Sequence, residues 1–182
     1  MLRYLTALPY ALPVVAVGAI VAAVIAKPVG RRLREHPVIV FFWMASASVV
    51  IAATVTPSGH APGLNDGLTT TRVWAWSFPA PGALFSVNWQ SMNLLLFVPL
   101  GVASGLFLRF RHIVGAASIA ALLSLAVELV QYMVIPLGRA QFNSATVVIG
   151  WVGIVVGMLV GRLVASQIRK TKQKGDQGQL QS

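Results

Sequence analysis

The chain has 182 residues, 57% of them hydrophobic and only 10% charged, with a mean hydropathy of +0.77. Soluble domains carry about 25% charged residues, so this composition excludes a soluble globular protein and points to an integral membrane protein. The net charge of +10 falls in short clusters between apolar runs, which marks topology rather than a nucleic-acid surface; the absence of cysteine excludes disulfides, thiol catalysis and Cys-based metal sites.

The first apolar run covers residues 7–26. Arg3 before it and Val24-Ile25-Ala26 at its end could serve as the n-region and cleavage motif of a signal peptide. Against this, Lys27, Arg31, Arg32 and Arg34 follow at once and resist translocation. We therefore read a retained helix. Pro28 and Pro37 bracket a short basic connection, and helices tend to end before a proline. Residues 38–56 form the second predicted span, with Phe41, Phe42 and Trp43 near its start.

Residues 57–90 form a connection rich in proline, glycine and aromatics, including Trp74, Trp76, Phe78, Phe85 and Trp89. Such aromatics sit at the headgroup level, so a re-entrant or surface-lying segment is expected over residues 73–85. A sugar-binding aromatic platform is the sharper alternative. Residues 91–108 form the third span, interrupted by Pro99, which should kink it. Residues 113–135 and 145–164 are the fourth and fifth, and the basic, Gln-rich tail 165–182 is expected to be disordered.

The expected fold class is an all-α integral membrane protein, a bundle of about five transmembrane helices. Its parts are two N-terminal spans (1–56), the long loop (57–90), a three-helix core (91–164) and the tail (165–182). Eleven Lys and Arg residues fall on one side of this arrangement and three on the other, which places the N-terminus out and the C-terminus in. Cleavage of the first segment would leave four spans with the same orientation.

Glu128 is the only acidic residue within a long apolar run. A carboxylate there costs a few kcal/mol unless it faces the bundle interior and finds a partner. Ser124, Glu128, Gln131 and Tyr132 share one helical face, continued inward by Ala117 and Ala121. The topology puts Glu128 about 10 Å below the outer end of its span. It brings Asn93, Gln131, Arg139, Asn143, Ser144 and Thr146 to a similar level. Asn93, Glu128, Gln131 and Arg139 are the candidate ligand-binding residues, with Trp74, Trp76 and Trp89 as an aromatic rim. Plainer readings stand beside this one: Asn93 as a helix cap, and Glu128 with Arg139 as a structural ion pair. Gly153, Gly157 and Gly161 form a small-residue seam for a sister helix or for a second subunit in a homo-oligomer. His36, His60 and His112 show no metal-ligand spacing, and no cofactor is implied.

Asn93 followed by Phe97, Pro99, Leu100 and Gly101 resembles the N-x-x-x-F-x-P-L-G element of VanZ-like membrane proteins. Glu128 and Gln131 match that family's E-x-x-Q, and Arg139 and Gly153-x-x-x-Gly157 are similar to its closing segment. The resemblance covers residues 93–161. The family's aspartate and asparagine of the last span are replaced here, at about Thr146 and Gly150. The resemblance implies a multi-pass protein of the bacterial cytoplasmic membrane linked to glycopeptide, notably teicoplanin, resistance. The implied partners are the bilayer and a lipid-linked envelope component or lipoglycopeptide. An intramembrane enzyme acting on a lipid headgroup with Glu128 as base, and a small transporter or structural subunit, are the alternatives.

Overall fold

The computed structural model describes residues 11–55, 73–79, 82, 89–134 and 141–179. Within them lie five helices: α1 (Ala11–Leu33), α2 (Pro37–Val55), α3 (Trp89–Gly105), α4 (Phe110–Met133) and α5 (Ser144–Gln179). Two short strands, β1 (Val73–Ala75) and β2 (Gln141–Asn143), pair in parallel, with Trp74 opposite Phe142. Four helices are long and apolar enough to cross a membrane; α3, apolar over Ser91–Gly105, is shorter. At 1.5 Å per residue α3 spans about 25 Å.

Two expectations are corrected. Helix α1 does not stop before Pro28 but runs through it to Leu33. The proline removes one intrahelical donor, and Arg31, Arg32 and Leu33 are good enough helix formers to carry the helix past it. Helix α5 likewise continues to Gln179, where a disordered tail was expected. Its Gln, Lys and Arg residues have high helix propensity, and the apolar span supplies the costly nucleus. The stretch near Trp74 contains a short strand paired with the entry to α5.

Helix α3 is the centre of the bundle. Phe97, Leu100, Ala103 and Ser104 are buried, and Phe97 and Leu100 cluster with Val50 of α2, Ala120 and Val127 of α4 and Ile154 of α5. In a bilayer, apolar burial does not by itself drive helices together; close packing and interhelical hydrogen bonds do. Both are present. Trp43 Nε1 of α2 donates to Ser104 Oγ at 3.0 Å, and that hydroxyl donates to the Leu100 carbonyl at 2.9 Å.

The glycine seam of α5 packs on α3 of the same chain. A Cβ on Gly153 would lie 2.6 Å from the Leu94 carbonyl oxygen, and one on Gly157 or Gly161 would strike the carbonyls of Val98 and Val102. From the other side, Gly101 and Gly105 face the carbonyls of Ile154 and Met158. Contacts advance in the same direction along both helices, so α3 and α5 run parallel, backbone against backbone. Of the two partners expected for the seam, the sister helix occupies it.

Helix α1 lies at the edge of the bundle. It meets α2 through a second small-residue stripe, Gly18, Ala22, Ala26 and Gly30, of which the last three are buried. It ends in a Schellman turn: Glu35 N–H bonds the Gly30 carbonyl at 2.9 Å and Arg34 N–H bonds that of Arg31 at 3.2 Å. Arg34 holds the left-handed conformation, φ 55°, that this turn requires.

Candidate functional site

Helix α4 presents Ser124, Val127, Glu128 and Gln131 to the interior, and all four are buried. The face deduced from helical spacing is correct at the end nearest the β1–β2 pair, the ribbon. Further along, Ala116 and Ala120 are the buried small residues, while Ala117 and Ala121 are half-buried.

The level of Glu128 follows from two contacts one turn below it. A Cβ on Gly150 would lie 2.6 Å from Ser124 Oγ and 3.2 Å from Phe97 Cδ2, so α3, α4 and α5 meet there. One turn toward the ribbon from those residues stand Asn93, Glu128 and Thr146. The crowding at Gly150 accounts for the lack of a side chain at that position. Any side chain at this position requires Ser124 to rotate and Phe97 to yield.

Glu128 Oε2 accepts the backbone N–H of Asn143 at 3.2 Å. Asn143 is the N-cap of α5, its Oδ1 accepting the N–H of Ala145 at 2.9 Å. The same Oδ1 accepts from Ser77 Oγ at 2.8 Å. Ser144 and Ser77 exchange two further bonds, Ser77 N–H to Ser144 Oγ at 2.9 Å and Ser144 Oγ to the Ser77 carbonyl at 2.8 Å. The carboxylate is thus tied to the positive end of α5, and a polar latch holds the β1 segment over that end.

Aromatic rings pack beside the latch, on the residues that flank it in sequence. Trp74 stacks on Phe142 with centroids 4.1 Å apart and meets Tyr132 edge-on at 5.3 Å. Trp76 meets Phe142 at 6.0 Å and remains 76% exposed; Phe78 is 90% exposed. Trp74 and Trp76 are therefore brought to the Glu128 end of α4 by a parallel strand pairing that hydropathy gives no hint of.

Of the candidate residues, Glu128 and Gln131 are buried on the same face, and Asn93 is half-buried one turn from the Phe97 contact. Gln131 Nε2 donates to the Thr54 carbonyl at 2.8 Å, joining α4 to α2. Among the described residues Asn93 makes no side-chain hydrogen bond. Arg139 and the side chain of Trp89 lie outside the described residues, as does His60. Asn143, Ser77 and Thr54 were not selected as site residues. The Asn-Ser pair before an apolar run is a helix-start pattern that could have singled out Asn143; nothing local marks the other two.

A second buried carboxylate lies at the opposite end. The Glu35 carboxylate is fully buried; Oε2 accepts the N–H of Leu108 at 3.0 Å, and Oε1 accepts that of Arg109 at 3.2 Å and His112 Nδ1 at 2.7 Å. Arg111 Nε donates to His112 Nε2 at 3.3 Å, which leaves Nδ1 as the nitrogen that donates to Glu35. Burial by itself pushes the Glu35 carboxyl up. The hydrogen bonds from His112, Leu108 and Arg109 outweigh it and hold the group below the usual carboxylate range. Glu35 therefore pins the α1–α2 connection to the start of α4.

The family model described as VanZ/LLP1 matches residues 38–165. The chain belongs to the VanZ/LLP1 family. The match takes in α2, which residue motifs alone had left out, and leaves α1 and Glu35 outside. No curated protein and no solved structure matches the chain. The VanZ/LLP1 region contains the whole ribbon-end cluster, from Thr54 through Glu128 to the α5 cap. This is a multi-pass membrane protein of that family.

Proposed function

We propose that this VanZ/LLP1 protein acts in the bacterial cytoplasmic membrane, engaging a lipid-linked envelope component or a lipoglycopeptide at the outer leaflet. In this reading it contributes to glycopeptide, notably teicoplanin, resistance. The observation that carries the proposal is the Glu128 carboxylate bonded to the α5 cap beside the Trp74–Phe142 stack. A polar group beside aromatic rings suits a ligand with both an apolar body and hydrogen-bonding substituents.

Orientation is part of the proposal. The excess of Lys and Arg favours the ribbon end outside and the end of α5 inside. Trp76 and Phe78, the most exposed aromatics of the ribbon, would then stand at the outer interface. Arg139, which lies between α4 and β2 in the sequence, would supply a guanidinium fork for a phosphate or carboxylate.

Teicoplanin susceptibility of cells carrying Glu128→Gln or Trp76→Ala tests the reading, with protein levels in the membrane checked in parallel. Sensitivity matching that of a deletion strain is expected. Wild-type resistance in both variants overturns it.

The second reading is an intramembrane enzyme that modifies a lipid headgroup with Glu128 as general base. It is favoured by Glu128 being the one acidic residue within the apolar spans. Against it, Glu35, His36 and His112 lie at the opposite end, so paired acid–base work has no second carboxylate or histidine close by among the described residues. Lipid extracts compared by mass spectrometry separate the two: a modified lipid that vanishes in Glu128→Gln favours the enzyme.

A further inference from the structure

Four arginines gather about the Glu35 knot, at the end of the bundle opposite the ribbon. Arg34 directly precedes Glu35, Arg109 and Arg111 flank Phe110 at the start of α4, and Arg162 of α5 donates to the Phe107 carbonyl at 3.4 Å. All four are exposed. The carboxylate at their centre is occupied by two backbone N–H groups and His112, so among the described residues none of these guanidinium groups is paired with a carboxylate. Four cations are carried by the segments that meet at one buried anion, so the charge of this corner is net positive.

Apolar side chains are interleaved with these charges. Leu108 is 51% and Phe110 78% exposed, and they alternate with Arg109 and Arg111 along the chain. Exposed large apolar residues beside unpaired arginines fit one class of partner. Guanidinium forks bind phosphate oxygens, and Leu108 and Phe110 offer a surface to the first methylenes of an acyl chain. A free phosphate ion gains nothing from the second feature.

We propose that this corner binds the headgroup of an anionic phospholipid. Arg34, Arg109, Arg111 and Arg162 hold the phosphate, and Leu108 and Phe110 lie against the chains. Rigidity distinguishes it from a loose polybasic tail. The Schellman turn places Arg34, the Glu35 knot fixes the backbone of Arg109, and the Phe107 carbonyl anchors Arg162. The proposal does not depend on the ligand of the ribbon end; only the choice of the inner leaflet follows from the orientation given above.

The test uses the purified full chain in detergent, with phosphatidylglycerol, phosphatidylcholine or inorganic phosphate added. Thermal unfolding and lipid retention in native mass spectrometry are the readouts. Phosphatidylglycerol should raise the midpoint and remain bound, while the other two should not. The double variant R109Q/R111Q should weaken that binding roughly thirty-fold, at about five-fold per arginine. R169Q/K170Q, which removes charge further along α5, should leave it unchanged. Equal responses to the two lipids, a matching response to inorganic phosphate, or equal loss in both double variants would each overturn the site. If R109Q/R111Q does not fold, the lipid comparison on the wild type and on R169Q/K170Q still decides: preference for phosphatidylglycerol in both supports the site, and its loss in either refutes it.

Discussion

The side-chain amide of Gln131 donates to the main-chain carbonyl of Thr54 at 2.8 Å, and both residues are buried. Thr54 stands in the last turn of α2, where carbonyls have no intrahelical donor. One helix thus caps another across the bundle, and the polar residue most readily taken for a ligand contact is also structural. Gln131→Leu leaves that carbonyl unpaired and should cost about 1–3 kcal/mol. A lowered unfolding midpoint in detergent checks it; an unchanged midpoint would mean that the amide is not needed for packing.

Asn143 caps α5, receives the latch from Ser77 and offers its N–H to Glu128. Asn143→Ala removes the cap and the Ser77 Oγ bond of the latch but keeps the backbone donor, and should destabilise by about 1 kcal/mol. Because the latch holds β1, the fluorescence of Trp74 and Trp76 should become more solvent-like. A variant with unaltered tryptophan emission would show that the Ser77–Ser144 bonds alone hold the ribbon.

The parallel seam of α3 and α5 tolerates no side chains. Gly157→Val drives a branched side chain into the Val98 carbonyl and the backbone of Val102 and Gly101, and should prevent assembly of the core. Gly115 of α4 has open space where its Cβ would be. Gly115→Ala should therefore be neutral or stabilising by up to about 1 kcal/mol, since alanine is the better helix former. Yield and monodispersity after detergent extraction distinguish the two variants.

Arg34 adopts a left-handed conformation that costs a non-glycine residue roughly 1 kcal/mol. Arg34→Gly relieves it and should raise the midpoint slightly, whereas the β-branched Arg34→Val should lower it. Identical midpoints in the two variants would contradict the turn described here.

The folded-state Glu35 carboxyl lies below its unfolded value, so its contribution to stability is complete above the unfolded carboxylate range, about pH 4.3. It is lost as pH falls further, through the folded value. Unfolding midpoints measured from neutral pH down to that region should fall for the wild type, and Glu35→Gln should be less stable at neutral pH with a flatter acid dependence. Parallel curves for the two proteins would exclude this group as the source.

Much of the arrangement is local and therefore legible in the chain itself. Apolar runs located all five helices, and helical spacing placed Ser124, Glu128 and Gln131 on one inward face. The glycines at every fourth position announced a close helix contact. These features depend on hydropathy and a 3.6-residue period, which each segment carries on its own. What the period leaves open is the partner. That the seam meets α3, through Gly101 and Gly105, and runs parallel to it, was decided by the tertiary structure, because both helices carry compatible small residues and only their packing fixes which pair. Three-residue strands have no periodicity to read, so the pairing that brings Trp74 to the Glu128 end was invisible. Glu35 looked like one more polar residue in a basic loop. Its burial depends on the start of α4 being delivered to it from a distant part of the chain, with two N–H groups and His112 that satisfy its charge. A sequence can show that a carboxylate is costly; the fold alone supplies the donors that make it tolerable.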